Sequence, residues 1–209
     1  MRQRPFFERR NIMKKALVIF ASPHPRGATR QLLDAFLAGL SEQNWMVEER
    51  DVCREPAAPC NACGYCQKTD GCALHDLDAF DASLRACDLL VLASPVYNLT
   101  FPAQLKSVID RFQRYFEARF ARGVRPAIEK PRQAVLLLTM GRHDTFAEEV
   151  CARMLRQSFS VMNTALRGTL CLPDTDAGVE AKNPVFAKAR AIAIEIEREL
   201  CYNDLNSCE

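Results

Sequence analysis

The sequence predicts a doubly wound α/β domain, a parallel sheet covered by helices on both faces. Short runs that are apolar throughout behave as strands buried on both sides, and amphipathic helical stretches separate them. That alternation requires crossovers returning over one face of the sheet or the other. The chain has 209 residues, 48% of them hydrophobic, enough for one domain with a sizeable core. No internal repeat, low-complexity tract or interdomain linker interrupts the pattern, so residues 13–209 are expected to form a single domain.

Residues 1–12, made basic by Arg2, Arg4, Arg9 and Arg10, are expected to be a flexible extension, with the true start at either Met1 or Met13. Ala16 to Phe20 is the first apolar run, and the polar turn Ser22 to Thr29 ends it. Leu32, Leu33, Phe36, Leu37 and Leu40 then mark one face of a helix. A second strand is expected from Trp45 to Val52, followed by a cysteine-rich loop over 60–72 and a short helix around Leu77 to Ala86. Leu89 to Ala93 is the third strand and runs into Ser94-Pro95-Val96-Tyr97-Asn98. Pro102, a favoured first-turn residue, opens a helix whose buried stripe is Leu105, Val108, Ile109, Phe112 and Phe116. The fourth strand is Ala134 to Thr139, a helix covers Thr145 to Phe159, and a fifth strand lies within Thr164 to Cys171. Ala189, Ile192, Ala193, Ile196 and Leu200 define the last helix. Ligands of such sheets bind beyond the carboxyl ends of the strands. The loops after strands one to four, the cysteine loop included, should therefore share one rim.

Cys60, Cys63, Cys66 and Cys72 follow the order C-x2-C-x2-C-x5-C, with Gly71 available to turn the chain back before the last of them. The first three positions have the spacing of a bacterial ferredoxin run, but the fourth comes after five residues and no proline follows. The pattern reads as one self-contained [4Fe-4S] site. An unmetallated thiol loop, zinc and disulfides are the alternatives. Zinc normally separates two C-x-x-C pairs by a dozen or more residues. Ten cysteines without a secretory signal point to a reducing, cytoplasmic setting, where stable disulfides are rare. Cys53, Cys87, Cys151 and Cys171 lie on or beside apolar segments and are expected to be buried filler.

The formal charge of +2 and the lack of basic runs interleaved with aromatics give no support to nucleic-acid binding. The apolar run Ala16 to Ala21 is too short to span a membrane. The Ser22 to Thr29 turn opens a helix with hydroxyls and Arg26, a match for a phosphate monoester, and it fits neither G-x-G-x-x-G nor a Walker sequence. An ordinary helix N-cap is the competing explanation of that turn.

With Pro102-Ala103-Gln104-Leu105-Lys106 and Ile109-Asp110-Arg111 after Ser94 to Asn98, the chain resembles the flavodoxin-like NAD(P)H-dependent FMN reductases, and among them the iron-sulfur flavoproteins. The resemblance implies a five-stranded sheet of order 2-1-3-4-5 and an FMN site. Ser22, His24, Arg26, Gly27, Ala28 and Thr29 would take the phosphate. Pro95, Val96, Tyr97, Asn98 and Leu99 would line the ribityl chain and ring, with Tyr97 giving packing and a backbone amide. Thr139, Met140, Gly141 and Arg142 would close the ring's other side. His24 and Ala28 stand where members often carry arginine and asparagine, and one glycine, Gly141, stands where a pair is common. His24 and His143 are assigned no catalytic proton. The implied activity is electron transfer between a reduced donor and an acceptor, with FMN converting between two-electron and one-electron chemistry and the cluster taking single electrons. A cluster-free NAD(P)H-dependent reductase of flavin, quinone or azo compounds is the alternative, and a flavodoxin-type carrier a further one. Such carriers are usually strongly acidic, unlike this chain. A homodimer or homotetramer is expected.

Overall fold

The computed structural model describes residues 13–206, with side chains as far as residue 200. The expected extension at 1–12 and the side chains of Cys201 and Cys208 lie outside them. Five strands form the sheet: β1 (Lys14–Phe20), β2 (Trp45–Asp51), β3 (Leu89–Pro95), β4 (Arg132–Thr139) and β5 (Thr164–Leu172). Their order is β2-β1-β3-β4-β5, with every neighbouring pair parallel. The expected 2-1-3-4-5 order is thus found.

Burial follows position in the sheet. β3, in the centre, is buried along its whole length, whereas in the edge strands only Trp45 of β2 and Leu172 of β5 are buried. Alternate side chains of each central strand serve two separate cores. On one face Ala16, Val18, Phe20, Val91 and Leu137 pack against α1 (Ala28–Leu37) and α7 (Pro184–Asn206). On the other, Leu17, Ile19, Leu90, Leu92 and Leu136 meet α3 (Asp78–Ala86), α4 (Ala103–Asp110), α5 (Gln113–Phe120) and α6 (Thr145–Phe159). A four-residue helix, α2 (Tyr65–Lys68), lies within the cysteine loop.

The helix expected from Pro102 through Phe116 is two helices, because the chain breaks its regular pattern at Arg111 and Phe112, with Phe112 N–H donating to the Ile109 carbonyl at 3.0 Å. The break shifts the phase of α5 relative to α4. Phe116 is therefore 41% exposed rather than in the buried stripe, stacked on Phe120 with ring centroids 4.4 Å apart, and Tyr115 enters the core in its place. Of the four cysteines expected to fill the core, Cys87 and Cys151 are buried, while Cys53 and Cys171 are only half-buried. Among the described residues, no helix is long and apolar enough to cross a membrane.

Candidate flavin and cysteine-loop sites

All five strands are parallel, so the segments after β1, β3, β4 and β5 emerge on one rim. No side chain caps α1 at Gly27, and the first turn's earliest bond runs from Gln31 N–H to the Gly27 carbonyl at 3.2 Å. The amides of Ala28, Thr29 and Arg30 thus stand at the positive end of the helix without a protein acceptor among the described residues. The competing explanation of this turn, a hydroxyl N-cap, is not what the structure has. Ser22 is buried and its Oγ accepts from His24 N–H at 3.2 Å, which shapes the turn. Thr29 and Thr139 are also buried, and their hydroxyls meet at 2.8 Å, joining the start of α1 to the end of β4. Arg26 and His24 are exposed, and the Arg26 side chain pairs with no described residue.

After β3 the Val96 amide donates to the Thr139 carbonyl at 2.9 Å. Tyr97 and Thr100 exchange two backbone bonds, of 2.8 and 3.0 Å, around Asn98 at φ 49° and Leu99 at φ 66°. Two consecutive left-handed residues make this a type I′ turn. Asparagine accepts that conformation readily; leucine holds it at a cost of about 1–2 kcal/mol. A strained bulky residue at a turn tip is the kind of feature that functional sites carry. The Tyr97 amide is consumed inside the turn, so it is not the free donor expected of it. The amides of Asn98 and Leu99 are the ones left open.

Between this turn and the β4 loop lies a cleft of about 440 Å³, lined by Val96, Leu99, Met140, Gly141, Arg142, His143, Asp144 and Ala147. Met140 contributes only its buried side chain, since its amide donates to Leu172 and its carbonyl accepts from both the amide and hydroxyl of Thr175. Gly141 sits hard against Asp176: a Cβ there would lie 2.4 Å from its Oδ2. Asp174 Oδ1 accepts from His143 N–H at 3.3 Å, and Asp144 caps α6 through Ala147 N–H at 3.0 Å. Asp174, Thr175 and Asp176, from the loop after β5, therefore support the site although sequence reasoning carried the rim only to the fourth strand. Asp144 three residues before Ala147 was the readable N-cap signal at the cleft's other wall.

The cysteine loop leaves the same rim after Asp51, but its thiol-bearing part does not stay there. Gln67 meets Glu117 on α5 at 3.5 Å, Asp70 pairs with Arg122 at 2.9 Å and with Arg85 at 3.6 Å, and Gly71 lies against Arg114. Arg85 is at the carboxyl end of α3, which feeds the amino end of β3, so the loop drapes over the helical face toward the opposite edge of the sheet. The expectation of a rim shared with the flavin loops is corrected here, because arginines on α3 and α5 and just beyond pull the loop away. Ala62 at φ 54°, Gly64 at φ 72° and Gly71 at φ 100° let it coil. Cys60 and Cys63 are exposed, Cys66 and Cys72 half-buried. Burial, with the charge of Glu117 adding to it, pushes the Cys66 thiol up. Among the described residues no three of His, Cys, Asp or Glu converge tightly enough to hold a metal ion.

Residues 14–195 match the model of a family described as having a flavodoxin-like fold. The chain belongs to that family. Two archaeal relatives of this flavodoxin-like chain, each named iron-sulfur flavoprotein, are 34% identical to it: one from Methanosarcina thermophila over 44% of this chain and 49% of its own length, the other from Archaeoglobus fulgidus over 48% and 46%. An FMN-dependent NADH:quinone oxidoreductase from Pseudomonas aeruginosa is 30% identical over 49% of this chain and 54% of its own length. The chain spans about half the length of the curated relatives it matches. The fold is shared with an NAD(P)H:quinone oxidoreductase from Methanothermobacter marburgensis, with a TM-score of 0.62 and 22% identity over 90% of this chain and 98% of that one. It is shared too with an FMN-dependent NADH-azoreductase from Bacillus anthracis in complex with FMN, with a TM-score of 0.60 and 15% identity over 90% and 99%.

The flavodoxin-like rim fits a flavin mononucleotide: free amides at a helix start, buried hydroxyls beside them, and a cleft of ligand size with Val96, Leu99 and Met140 along one side and Arg142, His143 and Asp144 along the other. The donor set of the cysteine loop suits a soft metal or an iron-sulfur cluster, since it consists of thiols. The buried Nε of Arg111, which closes the loop root, has no acceptor among the described residues, as is also true of Arg114, Arg119, Arg122 and Arg132. A donor of that kind is what a thiolate or sulfide could accept from.

Proposed function

We propose that this chain is an FMN-dependent oxidoreductase that passes electrons between a reduced donor and an acceptor, with a [4Fe-4S] cluster held by Cys60, Cys63, Cys66 and Cys72. One observation carries the flavin: the open amides of α1, the Thr29–Thr139 hydroxyl pair and the β3 turn all converge on the rim that also holds the 440 Å³ cleft. When bound, FMN supplies hydride and single-electron chemistry, and the cluster supplies single-electron transfer.

The chain's own residues do the rest. Ala28, Thr29 and Arg30 amides and the hydroxyls of Ser22 and Thr29 would donate to a dianionic phosphate at the positive end of α1, with the guanidinium of Arg26 offsetting its charge. The strained Asn98–Leu99 turn holds two open amides that would donate to a bound flavin, and Val96, Leu99 and Met140 would exclude water from it. No side chain needs to move a proton, so none is given a catalytic role. Tyr97 and Leu99, 44% and 46% exposed, leave an open approach for NAD(P)H or another small-molecule or protein partner. An apolar tip exposed to that degree suits completion of the site by a second copy, in a homodimer or homotetramer acting in the cytoplasm. The names of the archaeal relatives support the cluster.

The second reading is a cluster-free NAD(P)H-dependent reductase of flavin or quinones. The failure of three thiols to converge among the described residues favours it, as do the quinone oxidoreductases among the relatives. An anaerobic absorption spectrum tests both cofactors at once. Flavin bands with a broad brownish shoulder, together with iron and sulfide near four per chain, support the first reading; flavin bands alone support the second. A colourless protein that does not take up micromolar FMN defeats both. NADH or NADPH oxidation with a quinone acceptor separates an enzyme from a carrier, and light scattering of the FMN-bound protein tests the assembly.

A further inference from the structure

The cysteine loop is closed at its root by one guanidinium. Arg111 follows α4 directly, and its side chain is only 2% exposed. Nη1 donates to the Ala58 carbonyl at 2.9 Å, and Nη2 donates to the Leu74 carbonyl at 2.7 Å and to Asp76 Oδ1 at 2.9 Å. Asp76 returns to the other side of the root, its Oδ2 accepting from Ala58 N–H at 2.8 Å. Residues 58 and 74 flank all four thiols, so the Arg111–Asp76 pair ties the two ends of the thiol-bearing segment to each other and to the end of α4. None of Cys60, Cys63, Cys66 and Cys72 is buried, so the thiols themselves do not anchor the segment. Burial opposes the charge of Arg111, but the hydrogen bond from Asp76 holds the guanidinium protonated. Its Nε has no acceptor among the described residues.

We propose that Arg111 is the positioning residue of the cysteine loop: its fork fixes the root of the loop, and its charge is held two residues from Cys72 in sequence, at the Leu74 carbonyl. This rests on the cluster reading only for its electrical consequence; the mechanical role holds for the thiol loop with or without metal. α4 has eight residues and starts at the β3 loop of the flavin rim, so it spans about 12 Å from that rim to Arg111. The same side chain therefore ties the thiols to the flavin rim through a rigid element. A lysine could supply the charge but not a fork with three contacts.

The test compares wild type, Arg111→Gln and Arg111→Lys by hydrogen–deuterium exchange of the as-purified protein. Where iron is taken up on anaerobic reconstitution, it also compares the reduction potential of the cluster. Loss of charge-assisted bonds at the root should speed exchange across residues 58–74 at least tenfold in both variants, while β1 and β4 keep wild-type protection. The potential should fall in Arg111→Gln and stay near wild type in Arg111→Lys, because a nearby cation favours the reduced cluster. A purely structural residue would not separate the two variants in this way. Should Arg111→Gln fail to fold, Asp76→Asn, at a position 36% exposed, loosens the same root and is read by the same exchange experiment. Unchanged exchange across 58–74 in a folded variant overturns the proposal. A wild type that takes up no iron but whose variants lose protection in the loop overturns the cluster reading instead and leaves the clip intact.

Discussion

Replacing Asp81 with alanine should be among the most damaging single changes in the protein. Asp81 sits on α3 with its side chain 12% exposed, facing three donors at once. Oδ1 accepts a short hydrogen bond from the Tyr115 hydroxyl, and Oδ2 accepts from Arg114 Nη2 at 3.1 Å and Arg85 Nε at 2.9 Å. Arg85 and Arg114 also lie near the Tyr115 ring, 5.5 and 5.7 Å from its centroid. Burial first, and the Asp81 charge second, push the Tyr115 hydroxyl far above its ordinary value, so it stays a donor at any ordinary pH. Alanine leaves a guanidinium that is 9% exposed, together with a buried hydroxyl, without their acceptor. Removing one partner of a buried pair costs about 3–5 kcal/mol. Tyr115→Phe removes one donor but leaves Asp81 paired with two arginines, a loss of about 1 kcal/mol. For a chain of 209 residues these convert to a fall in Tm of about 6–20 °C and about 2–4 °C respectively. Differential scanning calorimetry of both variants decides the matter. If Asp81→Ala is no more destabilising than Tyr115→Phe, the carboxylate is not the organising charge of this network.

Two further outcomes are expected. Thr29→Val removes a hydroxyl from the α1 start and leaves Thr139 without its 2.8 Å partner, so Kd for FMN should rise about 10- to 100-fold in a fluorescence titration; an unchanged Kd would remove Thr29 from the phosphate site. Burial raises the Cys151 thiol from 9.0 to about 12 in the fold, with Glu148 adding to it. A group raised on folding contributes its stability in full below the unfolded value and loses it as pH climbs toward the folded one. Unfolding free energy should therefore decline from about pH 9 upward, by as much as about 1.4 kcal/mol per pH unit from this thiol. Guanidinium melts of Cys151→Ala at several alkaline pH values should show a shallower decline than wild type, and an identical slope would contradict the assignment.

What periodicity could read, it read well. The strands, both faces of the sheet and the bounds of α6 follow from apolar spacing, because burial against a sheet imposes that spacing directly, whereas the strand order came from the family resemblance. The Ser22 to Thr29 turn read equally well as a phosphate site or an ordinary helix N-cap, so its proposed role and that of the loop after β3 came from the family resemblance rather than from spacing. Phe116 marks the limit. Its spacing after Phe112 is helical, but the break at Arg111 rotates the following turn, and Tyr115 is buried in its place. The free amides of Asn98 and Leu99 were invisible too, since leucine carries no signal for a left-handed turn.

The course of the cysteine loop was illegible for a different reason. Its spacing specifies what it can bind, but its location is set by Arg85, Arg111, Arg114 and Arg122, which lie on or beside three separate helices and share no period. Each reads in sequence as a solvated surface charge. Arg111 and Arg114 are in fact almost fully buried, and burying a guanidinium is tolerable only where acceptors are already fixed around it. The acceptors are Asp76 and two carbonyls for one, and Asp81 for the other. Loop and helices therefore hold each other in place: the carbonyls at the loop root make buried arginine affordable, and the arginines keep a segment with almost no apolar anchor against the helical face. That reciprocity explains why the loop leaves the flavin rim, and it puts the control of its thiols in residues outside the cysteine motif.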